Sequence, residues 1–149
     1  MKMNRYIGVK EILATPMKRG DYNIYRGWEI PEDENPNDDG YLVEYIDGGQ
    51  ANHPDHKGYI SWSPAGVFER AYASVTGLSF GLAIAAMQKG KCVARRGWNG
   101  KNMYLQLVNK SSKGHLVVRE HIQMFTAQRD LVPWVASQTD ILATDWMVI

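Results

Sequence analysis

Ser79–Gly100, SFGLAIAAMQKGKCVARRGWNG, sets the fold class. Ser79 is an N-cap residue type placed directly before Phe80–Lys89, a segment of good helix formers. Gly90 follows, the residue that most readily takes the left-handed conformation ending a helix. Cys92–Arg96 then reads as a strand, and Gly97-Trp98-Asn99-Gly100 as a turn. Antiparallel strands with helices at their margins are expected, which is an α+β class.

The reading extends C-terminally. Met103–Val108 is a strand, Asn109–Gly114 (NKSSKG) a polar hairpin loop, and His115–Thr126 holds one or two more strands. Leu131–Ala136 is extended around Pro133-Trp134. Ser137 and Asp140 form a Ser-x-x-Asp cap for a short helix through Ala143, and Trp146–Ile149 is a closing strand. N-terminally, Val9–Met17 places Val9, Ile12, Leu13 and Met17 on one helical face, ended by Pro16. Tyr22–Trp28 alternates as a strand. Pro31–Gly40 (PEDENPNDDG) is an acidic exposed loop, and Asn52–Gly58 a second loop. Tyr41–Ile46 and Tyr59–Trp62 are strands. Ser63-Pro64 reads as a cap for a helix burying Val67, Phe68, Ala71 and Tyr72.

The 149 residues suffice for one ordinary domain or two small ones, and the charge pattern favours two. Residues 1–77 carry eight Lys/Arg against twelve Asp/Glu, a balance of −4; residues 78–149 carry nine against four, a balance of +5. The expected division is an acidic unit at 1–73 and a second unit at 78–149, joined by Ser74–Gly77. At an offset of 70, Met17, Gly20, Arg26, Gly27 and Trp28 fall on Met87, Gly90, Arg96, Gly97 and Trp98. At 74, Ser63 falls on Ser137 and Tyr72 on Trp146. Two explanations stand: a divergent internal duplication, or a coincidence of two Arg-Gly-Trp tripeptides.

Composition also excludes. The single cysteine, Cys92, rules out an internal disulfide framework and a multi-cysteine zinc site. No apolar run is long enough to span a bilayer, and Met1–Lys10 lacks the apolar core of a secretory leader. His53-Pro54-Asp55-His56 has no further clustered ligand type, and Glu32, Asp33, Glu34, Asp38 and Asp39 lack calcium-loop spacing. No nucleophile elbow, Walker loop or His-Glu-x-x-His is present, so no enzyme and no cofactor are expected.

Three blocks resemble the second type of Thoeris anti-defence protein, a phage-encoded family: Leu78–Ala83, Gly90–Gly100 (GKCVARRGWNG) and Val132–Trp146 (VPWVASQTDILATDW). The resemblance spans residues 78–149. The first half departs from it, with Ser63-Pro64-Ala65-Gly66 where the second has Ser-Gln-Thr-Asp, and Ala71-Tyr72 in place of Asp-Trp. The resemblance implies a sponge that binds glycocyclic ADP-ribose, with cyclic dinucleotides as further ligands of some members, and does not cleave it. It implies action in the cytoplasm of the infected host, as a homo-oligomer (dimer or tetramer) with ligand pockets between subunits. No membrane or nucleic-acid polymer is an expected partner. The alternative is a non-enzymatic phage module for protein interaction or structure.

The chemistry of a nucleotide signal selects candidate ligand groups. Trp98 and Trp134 offer stacking faces, Arg95 and Arg96 guanidinium forks for phosphates, and Asn99, Ser137, Gln138, Thr139 and Asp140 hydrogen-bonding groups for ribose and base edges. Each has a structural alternative. Arg95 and Arg96 face opposite ways in a strand, so only one reaches a ligand. Ser137 and Asp140 serve equally as a helix cap, Trp98 and Trp134 as core, and Trp146 reads as core.

Overall fold

The computed structural model describes residues 1–149, which divide into two compact units, Met1–Tyr72 and Ala73–Ile149. Both are α+β, with antiparallel sheets. No helix is long and apolar enough to cross a membrane.

The first unit holds β1 (Ile12–Pro16), α1 (Arg19–Tyr25), β2 (Gly40–Tyr45), β3 (Tyr59–Pro64) and α2 (Ala65–Ala71). Its sheet runs β1-β2-β3, with Ala14 opposite Val43 and Val43 opposite Ser61. Alternation along β2 and β3 sends Leu42 and Ile60 to one face, where they pack with Tyr22 of α1, Met17, Tyr25 and Trp62. On the other face Tyr41 stacks on Phe68 of α2, ring centroids 4.0 Å apart. Gly40 lies so close under the Trp62 ring that a β-carbon has no room there.

Three local expectations are corrected here. The helix expected over Val9–Met17 is β1, and the strand expected over Tyr22–Trp28 is α1. Val9, Ile12 and Leu13 fit a helical face, but pairing with β2 satisfies more backbone groups than an isolated turn would. Pro16 is harmless at the end of an edge strand. Tyr22 alternates with Ile24 as in a strand, but Tyr22 and Tyr25, three apart, share a helix face, and it is these two that pack in the core. No side-chain cap announces α1: Lys18 stands at its N-cap position. Ser63 does not cap α2, because it is still paired with Tyr41 in the sheet; Pro64 takes the cap position, and α2 buries none of its residues fully. The acidic loop is exposed as expected, though Glu34 turns inward to pair with Arg19 at 2.5 Å.

The second unit holds α3 (Phe80–Gln88), β4 (Val93–Arg95), β5 (Tyr104–Val108), β6 (Ser111–Lys113), β7 (Leu116–Val118), β8 (His121–Phe125), β9 (Leu131–Pro133), α4 (Gln138–Ile141) and β10 (Trp146–Val148). Five strands form one antiparallel sheet in the order β10-β4-β5-β8-β9. The core is Leu78, Ala83, Met87, Val93, Leu105 and Trp146, so α3 packs on the sheet through Ala83 and Met87. The Ser79 hydroxyl accepts from the Leu82 amide, and Gly90 takes φ +83°, as the stop at this helix end requires. The polar loop expected at Asn109–Gly114 is itself half of a hairpin: β6 pairs with β7 across Gly114 at φ +60°.

The repeat is not carried by the elements. At the offset of 70, β1 falls on α3 and α1 falls on the stretch containing β4. The sheets differ as well, three strands in sequential order against five with β10 placed beside β4. Trp28 follows a helix and Trp98 a strand, so the two Arg-Gly-Trp tripeptides occupy different local structures.

Candidate functional site

The site is built on the β4–turn and on α4. In β4 the pleat sends Arg95 inward and Arg96 outward. The Arg95 guanidinium, its side chain only 14% exposed, donates from Nη1 to Asp140 Oδ1 and from Nε to Asp145 Oδ1, both at 2.9 Å. Asp145 reaches it because β10 lies antiparallel to β4, with Trp146 opposite Arg95. Asp145 Oδ2 also accepts the Gly97 amide at 2.8 Å, holding the turn after β4. A side chain at Gly97 would crowd this carboxylate.

Asp140 is the hub. Oδ1 accepts from Arg95 and from Trp98 Nε1 (3.2 Å); Oδ2 accepts from the Ser137 hydroxyl (2.7 Å) and amide (3.2 Å). Its own amide donates to Ser137 Oγ, completing the reciprocal cap expected from Ser-x-x-Asp. Its carbonyl accepts Trp146 Nε1 at 2.9 Å. Trp146 is fully buried, and Phe80, Trp98 and Trp134 surround it with ring centroids 5.3, 5.4 and 6.0 Å away. Trp98 and Trp134 meet edge-on at 6.5 Å and are each half-buried.

The structure thus brings Arg95, Trp98, Trp134, Ser137 and Asp140 together, and gives three of them bonds within the fold. Arg95 and Asp140 bond to each other and to Asp145, Trp98 and Trp146, because buried charges need partners inside the fold, and the exposed Ser137 joins through the helix cap. The Arg96 side chain lies outside the network, exposed, with one bond to the Thr76 carbonyl at 2.8 Å, while its amide donates to the Asp145 carbonyl at 3.2 Å. Asn99, Gln138 and Thr139 are exposed. Asp145 was missed as a network member; the Asp-Trp dipeptide was visible, but its register against Arg95 was not. Concavities of about 430 and 220 Å³ occur elsewhere, the first at Tyr45 and Tyr59, the second at Ile84, Met87, Leu107 and Ile122.

Burial pushes the Asp140 carboxyl up, but bonds from Ser137, Arg95 and Trp98 outweigh it and hold the pKa down at about 2, against an ordinary 3.8. The Arg95 bond lowers Asp145, and both carboxylates raise Arg95. A depressed carboxyl contributes stability that is present above its unfolded value and lost as pH falls through its folded one. Asp140 alone accounts for about 2 kcal/mol on this linkage. Urea midpoints measured from pH 6 to pH 2 should therefore fall most steeply below pH 4. The slope there should be shallower in Asp140→Asn.

A family model described as a Thoeris anti-defense 2-like domain matches residues 78–149. A curated relative, Thoeris anti-defense 2 of Bacillus phage SP01, is 34% identical over 91 aligned residues, half of this chain and 97% of the relative. The chain belongs to the Thoeris anti-defense 2 family. All of the network's side chains lie in the segment that the family model covers. The expectation drawn from the Arg-Arg-Gly-Trp-Asn-Gly and Ser-Gln-Thr-Asp blocks therefore holds at the level of the family.

Proposed function

We propose that this chain is an anti-defence sponge that binds a cyclic ADP-ribose-type signal, glycocyclic ADP-ribose first, and holds it without cleaving it, so that a Thoeris effector in the host cytoplasm stays off. Cyclic dinucleotides are further ligands of the same chemistry. Membership of the Thoeris anti-defense 2 family carries this reading. The geometry supports it in a definite way. The Arg95–Asp140–Asp145 network fixes the β4 turn and the start of α4. That leaves Arg96, Asn99, Gln138 and Thr139 exposed, and the Trp98 and Trp134 rings partly so. Guanidinium suits a diphosphate, the exposed amides and hydroxyl suit ribose and base edges, and a tryptophan rim suits adenine. The +5 balance of residues 78–149 draws an anion in. In this reading the pocket is completed by another subunit of a homo-oligomer.

Incubation with glycocyclic ADP-ribose should deplete the free signal, and boiling should return it unchanged by mass spectrometry. A hydrolysed product would point to an enzyme, and no depletion at all to an interaction module. Arg96→Ala should weaken binding about tenfold to hundredfold, the worth of a charge-assisted hydrogen bond, without lowering thermal stability. Unchanged affinity would remove Arg96 from the site.

A further inference from the structure

The five-stranded sheet has two faces, and both helices of the second unit lie on one of them. There α3 packs through Ala83 and Met87, and α4 is tied by the bonds of Asp140 to Arg95 and Trp146. Alternation sends the residues between these to the other face. On it, β5 presents Tyr104, Gln106 and Val108, directly opposite Phe125, Gln123 and His121 of β8. Met147 stands beside Ala94 on one flank, and Leu131 beside Phe125 on the other. A sheet face left to water normally alternates polar residues with those of the core. Here no Lys, Arg, Asp or Glu holds an outward strand position, and Tyr104, Val108, Phe125 and Met147 do not join the core. Tyr104 stacks on Phe125 with ring centroids 4.9 Å apart. In the next row Gln106 Nε2 donates to Gln123 Oε1 at 3.2 Å, which leaves Gln106 Oε1 and one Gln123 Nε2 hydrogen free.

We propose that this face docks on the same face of a second copy of the chain, sheet on sheet. A two-fold axis parallel to the strands, midway between β5 and β8, lays each β5 residue against its own register partner from the other copy. Gln106 then meets Gln123 of the partner subunit, and Tyr104 meets Phe125 of the partner subunit. The free oxygen of Gln106 faces the free amide hydrogen of the partner's Gln123, and the symmetry repeats the bond in reverse. A protein of another sequence would have to supply that acceptor and that donor in the same order; a second copy supplies both by symmetry. Packed sheets lie about 10 Å apart, a gap that two layers of Gln, Tyr and Phe side chains fill. Five strands about 4.8 Å apart and three to five residues long cover a few hundred Å², the scale at which a bare apolar face marks an interaction site. Docking here strands no carboxylate, ammonium or guanidinium, whose desolvation would oppose it. The proposal gives the homo-oligomer of the functional reading an interface on the sheet face opposite Arg95, and it stands whether or not a nucleotide binds.

The test uses the full chain. Light scattering at micromolar concentration should give the mass of two copies or a multiple. Gln106→Glu places two carboxylates in the gap with no cation beside either, and should raise the dissociation constant about tenfold or more and halve the mass, with circular dichroism unchanged. Adding Gln123→Lys to the same chain should restore the mass, since each carboxylate then meets an ammonium across the axis. A second measurement decides even if Gln106→Glu fails to fold. Cys92→Ser chains of two sizes set by a tag, one with Gln106→Cys and the other with Gln123→Cys, are mixed and treated with a short bismaleimide. The mixed-size product should form severalfold more strongly than when Gln88→Cys, exposed on α3, replaces Gln106→Cys. A parent chain that runs as one copy, an unchanged mass in folded Gln106→Glu, or cross-linking no stronger than the Gln88→Cys control would each overturn the proposal.

Discussion

Trp146→Ala should cost the second unit about 3–5 kcal/mol, the usual range for emptying a large aromatic site in a core. Trp146 has no exposed surface, and three aromatic rings lie against it. Its indole nitrogen donates to the Asp140 carbonyl, which would keep only the longer bond from the Ala143 amide. Its backbone pairs with Leu78 in both directions, tying the segment before α3 to the end of the chain. A loss of this size consumes much of the stability of a domain this small. Amide hydrogen exchange reads it without relying on tryptophan fluorescence. Protection in α3 and β4 should collapse, while β2 and β3 should keep theirs. A loss under about 1 kcal/mol would mean that the aromatic cluster repacks and is not the centre of the unit.

The same residue shows what the sequence made legible. Trp146, flanked by Ile141, Leu142 and Val148, reads as core from its neighbours alone, and it is core. Ser79, Gly90 and the Ser137–Asp140 cap were legible because each acts through its own backbone neighbourhood, within three residues or so. The failures lie where local pattern is degenerate. Ile12–Pro16 and Arg19–Tyr25 each carry apolar spacing that suits either period, and pairing with β2 or packing on Ile60 decides between them. At the site, residue types predicted which side chains meet, because Arg, Trp and Asp at these blocks came with a family resemblance. They did not predict which guanidinium is held inside the fold. Arg95 looks as ready for phosphate as Arg96 until β10 brings Asp145 alongside it. That register joins residues 50 positions apart and leaves no trace in either local segment.

Arg95→Met should therefore be nearly as damaging as the loss of Trp146, and for an electrostatic reason. Arg95 and Asp140 side chains are 14% and 13% exposed, and Asp145 is 30% exposed. Removing the guanidinium strands two carboxylates with little access to water, a change that costs about 3–5 kcal/mol when one partner of a buried pair is deleted. The charge must then be lost by protonation or by unfolding. The pH dependence identifies the cause. In the parent chain the depressed Asp140 and Asp145 make stability fall as pH drops below 4. Without Arg95 part of that depression is gone, so the variant's slope should flatten and its deficit should shrink toward pH 2, where both carboxyls take up protons anyway. A simple packing defect would give a deficit independent of pH. Arg95→Lys should recover only part of the stability, since one ammonium cannot serve Asp140 and Asp145 with the forked geometry that Nη1 and Nε provide. Adding Asp145→Asn to Arg95→Met should restore more than either change predicts alone, because it removes one of the stranded charges. Full additivity of the two would show that Arg95 and Asp145 do not act as a pair. The nucleotide readout should follow stability here: where the Arg95 variants remain folded, signal binding should weaken through loss of the positioned β4 turn, with Arg96 still present.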